Sequence, residues 1–126
     1  MNPVDLVAVL AIAQFLFFGV MVGRARARYK VNAPATSGHE MFDRAFRVHM
    51  NTLEQLVCFL PLLYISARYW SPAVVAAIGA VYLIGRFVYA AAYNRNPESR
   101  PLGFGLTILP VGTLLVMGLI GAITRA

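Results

Sequence analysis

The stretch Arg44-Ala-Phe-Arg47-Val-His-Met-Asn51-Thr-Leu-Glu54 runs directly into the uncharged segment Leu56–Ala67. At helical spacing Arg47, Asn51 and Glu54 lie four and three residues apart, so they share one face. A guanidinium, an amide and a carboxylate are thereby lined up on a helix that enters an apolar environment. Hydrocarbon does not solvate such groups, so this face must meet protein, water or a polar ligand.

The rest of the chain makes that environment a membrane. It has 126 residues, 60% of them hydrophobic, with a mean hydropathy of +0.68. This is too apolar for an ordinary soluble domain and long enough for one domain only, residues 1–126. The excess sits in four stretches: Pro3–Gly23, Leu53–Arg68, Pro72–Tyr93 and Leu102–Thr124. A spanning helix needs about 20 residues. The second stretch reaches that length only by including residues upstream of Glu54, so its polar face belongs inside the helix, at or just within the membrane boundary. The expectation is an all-α integral membrane four-helix bundle, with helices over roughly 3–28, 42–68, 72–94 and 102–124.

Charge sets the predicted topology. The N-terminus has no basic leader before its apolar run and carries Asp5 instead, unlike a signal peptide. Arg24, Arg26, Arg28 and Lys30 follow the first stretch, and Arg95 and Arg100 follow the third. The second loop offers only Arg68 and the C-terminus only Arg125. The positive-inside rule places the first and third loops in the cytosol and both termini away from it. The net charge of +6 follows from this arrangement and from contact with anionic lipid heads, and implies no nucleic-acid partner. Arginine outnumbers lysine ten to one and alanine is abundant, a composition associated with GC-rich bacterial genes. The expected location is therefore a bacterial inner membrane.

Breakers mark the joints. The first loop, Val31–His39, holds Asn32, Pro34, Thr36, Ser37 and Gly38. Asp43 suits the first turn of helix 2. Ser71-Pro72 opens helix 3, and Asn94–Pro101 forms the polar link to helix 4. Pro61 and Pro110 fall inside helices 2 and 4, where membrane bundles tolerate proline. Cys58, the single cysteine, excludes an intrachain disulfide and reads as a small packed residue. His49 projects away from the Arg47 face and has no second ligand at a zinc-like spacing, so no metal site is expected. No nucleophile elbow, phosphate loop or Rossmann turn occurs.

Helix 3 carries a second polar stripe, Tyr82, Arg86, Tyr89 and Tyr93, spaced four, three and four. Arg86 lies well inside an apolar segment, where an unpaired arginine costs on the order of 2.5–3.5 kcal/mol. Glu54 is the carboxylate at comparable depth in another helix. The expectation is that the two stripes meet, with Arg86 paired to Glu54. Arg47, Asn51, Glu54, Tyr89, Tyr93 and Arg100 are more polar groups than one structural ion pair requires, and they suit a zwitterionic guest.

The ordered set Phe42-x-Arg44-x-x-Arg47-x-x-x-Asn51-x-x-Glu54, Phe59-Leu-Pro61, Gly85-Arg86-x-x-Tyr89-x-x-x-Tyr93 and Arg100 resembles the membrane-associated proteins in eicosanoid and glutathione metabolism, the MAPEG family, in its microsomal glutathione transferase branch. The resemblance covers the whole chain. It implies a homotrimer that binds glutathione between neighbouring subunits and joins it to lipophilic electrophiles, with reduction of lipid hydroperoxides as a compatible side activity. It further implies that Arg47, Asn51, Glu54, Arg86, Tyr89 and Tyr93 bind glutathione and that Arg100 activates the thiol with help from Tyr93. A helix 1 arginine, Arg24 or Arg26, is implied to complete the site. The pattern departs from leukotriene C4 synthase at Gln55, where that enzyme has a tyrosine. Two other readings compete. One is a non-enzymatic lipid-binding or scaffold member of the family. The other is a small multidrug exporter, but such transporters carry a membrane-embedded glutamate in helix 1, which here holds only Asp5 and Gln14.

Overall fold

The computed structural model describes residues 1–125 and folds into four long helices: α1 (Pro3–Tyr29), α2 (Glu40–Tyr69), α3 (Pro72–Arg95) and α4 (Pro101–Thr124). All four are long and apolar enough to cross a membrane. A single 3-10 turn, Pro97–Ser99, interrupts the α3–α4 link. The start of α1 is set by Asn2, whose Oδ1 accepts from the Val4 and Asp5 amides at 3.0 and 3.1 Å, followed by Pro3 in the first turn. α2 starts at Glu40, two residues ahead of the predicted position, because the His39 Nδ1 accepts from the Met41 amide at 3.1 Å and supplies the cap. It continues through Pro61.

α2 and α3 form the central pair. α1 packs across one side of it and α4 across the other. The core runs along the pair: Phe59, Leu63, Val75, Tyr82 and Leu114 are fully enclosed, and the Phe59 and Tyr82 rings stack with centroids 3.8 Å apart. Large apolar side chains such as Val9, Leu16, Phe87, Leu109 and Ile123 point outward, as expected where the surroundings are lipid. The α3–α4 contact is the tightest. A Cβ on Gly103 would lie 2.3 Å from the Tyr89 amide nitrogen, and one on Gly85 would lie 2.7 Å from the Leu106 backbone. Only residues without a Cβ permit this approach.

Most of the basic residues, Arg24, Arg26, Arg28, Lys30, Arg44, Arg47, Arg95 and Arg100, gather at one end. There Arg26 donates through one nitrogen to the Val31 and Ala35 carbonyls (3.4 and 2.8 Å), folding the first loop onto its own helix, with Phe42 buried beneath. Arg44 reaches the last carbonyls of α3, Asn94 at 3.0 Å and Arg95 at 3.2 Å, and also pairs with Glu40. It thus fastens α2 to the link that carries Arg100. At the opposite end Trp70 and Ser66 donate to the Met117 and Leu114 carbonyls (2.8 and 2.9 Å), and Arg125 donates to the Tyr69 carbonyl.

Candidate functional site

On the α4 side of the central pair, at the basic end, α2, α3 and α4 part around a cavity of about 790 Å³. α2 contributes Arg47 and Asn51, and α3 contributes Tyr89 and Tyr93. The link and the first turn of α4 contribute Glu98, Arg100, Pro101 and Phe104. Five of the residues expected from sequence therefore meet at one surface. Glu54 joins them from just below: its Oε1 lies 3.3 Å from the Arg47 guanidinium and 3.4 Å from the Asn51 amide nitrogen.

Arg86 is where the expectation fails. It does not pair with Glu54. Its guanidinium is wholly buried and bonds to three neutral oxygens: Asn51 Oδ1 at 2.7 Å, Thr52 Oγ1 at 3.0 Å and Thr107 Oγ1 at 3.2 Å. Both hydroxyls are oriented to accept, because each spends its own proton on the carbonyl four residues back: Thr52 on Val48 at 2.8 Å, Thr107 on Gly103 at 3.0 Å. The Tyr89 ring lies 4.5 Å from the guanidinium carbon and adds a cation–π contact. Glu54 is taken instead by Arg47, two turns away on the same helix face. An arginine at this depth needs oxygen acceptors and polarisable surface, and three helices supply them without a second buried charge.

The consequence reaches the cavity. Arg86 holds the carbonyl side of Asn51, which turns the amide nitrogen toward Glu54 and the open space. Glu54 in turn holds Arg47. A chain of contacts thus runs from Arg86 through Asn51 and Glu54 to Arg47, and the buried end sets the orientation of the exposed end. Tyr89 and Tyr93 stack with centroids 5.6 Å apart and form one wall. Arg100 stands at the N-terminus of α4, donating to the Pro97 carbonyl at 3.0 Å, with the rest of its guanidinium free for a ligand.

Arg24 and Arg26 do not line this cavity. Arg26 is engaged with the first loop, and Arg24 lies on the far side of the central pair. Sequence reasoning missed Glu98, Phe104, Thr52 and Thr107. Threonine gives no signal in an apolar helix, and Thr107 meets Arg86 only once α3 and α4 have packed. Among the described residues no cluster of three or more His, Cys, Asp or Glu side chains could hold a metal. His49 stacks on Phe15 with centroids 4.5 Å apart, a packing contact.

The chain is similar to known proteins along most of its length. An uncharacterized protein of Synechocystis is 48% identical over 115 residues, covering 87% of this chain and 84% of that protein. Microsomal glutathione S-transferase 2 of Homo sapiens is 33% identical over 117 residues, 93% of this chain and 78% of the relative. Leukotriene C4 synthase of Cavia porcellus is 30% identical over 127 aligned positions, 96% of this chain and 85% of the relative. The MAPEG family model matches residues 4–120. Four membrane-length helices, a polar cavity built where those helices carry their charged stripe, and similarity along nearly the whole chain lead to one conclusion: this chain belongs to the MAPEG family.

Proposed function

We propose that this protein is a membrane-bound glutathione transferase that holds glutathione as its thiolate and joins it to lipophilic electrophiles arriving through the bilayer. The observation that carries the reading is the convergence of Arg47, Asn51, Tyr93 and Arg100 on one cavity at the basic end of the bundle. The Arg47 guanidinium matches a carboxylate of the tripeptide, and Glu54 and Asn51 match its ammonium and amides. A free thiol with pKa ~8.5 is only a few per cent ionised at neutral pH. Lowering it to ~6.5 needs about 2.7 kcal/mol, at ~1.36 kcal/mol per unit. A hydrogen bond from a charged donor provides roughly 1.5–3 kcal/mol, so Arg100 is assigned the thiol, with the Tyr93 hydroxyl as a second donor. The thiolate attacks the electrophilic carbon and displaces its leaving group or opens its ring. Toward a lipid hydroperoxide the same thiolate takes the distal oxygen, releasing the alcohol, and a second glutathione reduces the sulfenic acid to the disulfide with loss of water.

The assembly belongs to the proposal. The Arg47 and Glu54 side chains are 49% and 56% exposed on the single subunit, although their helix is in the membrane. Lipid does not cover an ion pair, and a neighbouring copy does, which supports the homotrimer with the site between subunits. Of the two helix 1 arginines, Arg26 is the one assigned to a neighbour's cavity. Its two loop bonds use a single nitrogen, leaving the other donors free. The basic end is assigned to the cytosol, where glutathione is made. The test is purification in detergent, then glutathione binding, ultraviolet thiolate absorbance and conjugation to an aromatic halide. Absence of binding at millimolar glutathione would overturn the transferase reading.

A further inference from the structure

A second opening lies on the α1 side of the central pair, separated from the glutathione cavity by α2 and α3 themselves. It has a deep part of about 200 Å³ floored by Phe17, Phe18 and Phe87, with the Phe87 ring edge to face with the other two. Its mouth, of about 360 Å³, is flanked by Arg24 and Arg28. Met21, Ala45 and Asn94 line both parts, so the two form one continuous groove. On α1 the groove residues Phe17, Met21, Arg24 and Arg28 are spaced four, three and four, a single stripe that changes from aromatic to cationic along the helix. Phe17 lies about 10 Å below Arg24 along the axis, at 1.5 Å per residue.

The charge at the mouth is uncompensated. The ion pairs among the described residues are Arg44–Glu40 and Arg47–Glu54, and neither Arg24 nor Arg28 has a carboxylate partner. No acidic side chain lines the groove. Two guanidiniums above an open apolar channel, with Phe17 and Phe87 each about half exposed, fit an amphiphile with an anionic head and a hydrocarbon tail.

We infer that this groove is a binding site for one anionic phospholipid of the adjoining leaflet, with its phosphate on Arg24 and Arg28 and one acyl chain over Phe17, Phe18 and Phe87. The site does not depend on glutathione, and its failure would leave the transferase reading intact. It differs from general attraction of basic loops to a membrane in requiring both charge and channel. The lipid becomes a wedge that fills the space between α1 and the central pair and covers the otherwise unpaired arginines.

The test is native mass spectrometry of delipidated protein in detergent, titrated with dioleoyl phosphatidylglycerol, dioleoyl phosphatidylcholine, or glycerol phosphate as the head group alone. Phosphatidylglycerol is expected to bind about thirtyfold more tightly than phosphatidylcholine, the preference that two basic residues confer. Glycerol phosphate is expected not to bind. The double substitution R24Q/R28Q removes the preference. Ala91→Phe, which fills the deep part without touching either arginine, weakens phosphatidylglycerol binding while leaving the helix content unchanged. Equal binding of the two lipids overturns the proposal, as does a preference that survives R24Q/R28Q, binding unaffected by Ala91→Phe, or glycerol phosphate binding as tightly as the whole lipid.

Discussion

Arg100 and Arg86 show how differently two arginines act within a few ångströms of one cavity. Arg100 is exposed and holds only the Pro97 carbonyl, so its substitution should spare the fold. Arg100→Ala is expected to lower conjugation at neutral pH about 10- to 100-fold, one to two pK units of thiol ionisation. The rate of the variant should recover as pH rises toward the free thiol's value, because ionisation no longer needs the guanidinium. A pH–rate profile alongside the thiolate absorbance of bound glutathione checks this, and an unchanged profile would remove Arg100 from its role. Arg86 acts through others. Arg86→Met removes the donor shared by Asn51, Thr52 and Thr107; the two hydroxyls keep their bonds to the Val48 and Gly103 carbonyls, but the Asn51 carbonyl oxygen is left without a partner, at about 1–3 kcal/mol. A lower melting temperature and a raised KM for glutathione are expected together, the second because Asn51 loses its fixed orientation. Arg86→Lys should restore little, since a single ammonium cannot span three acceptors on two helices.

The elements were legible in the sequence wherever hydropathy and breakers spoke together. Pro3, Pro72 and Pro101 each begin a helix, and the apolar stretches between them allowed nothing but spans. What the sequence did not disclose was which glycines matter. Gly85 and Gly103 carry the α3–α4 contact, whereas Gly105 and Gly112 have nothing within 4 Å of a would-be Cβ. Gly103→Ala is expected to force α4 away from the Tyr89 backbone at a cost of about 1–3 kcal/mol, and to reduce glutathione affinity by separating Arg100 and Phe104 from Tyr89 and Tyr93. Gly112→Ala should be neutral in both respects. Thermal unfolding in detergent compares the two. The stripe Arg47/Asn51/Glu54 was readable because helical periodicity alone puts those residues on one face. The partner of Arg86 was not, because Thr52 and Thr107 are chosen by the docking of α2 and α4 onto α3.

For the whole molecule, the bundle leaves a charged surface at membrane depth and two openings on opposite sides of the α2–α3 pair. If the proposed trimer forms the site, detergents that leave only monomers are expected to abolish glutathione binding while helix content is retained, which circular dichroism and light scattering can follow on the same sample. Binding by a proven monomer would show that one subunit is sufficient. The sequence by itself determined the four spans, the end at which the basic residues collect and the identity of most cavity residues, because hydropathy, breakers and helical periodicity are local properties. Only the tertiary structure decided that Arg86 is held by Asn51, Thr52 and Thr107, that Glu54 is left to Arg47, and that Arg24 lines a groove on the α1 side of the central pair. A buried charge takes whatever oxygens the packed helices bring within reach, and the linear order of residues does not specify which those are.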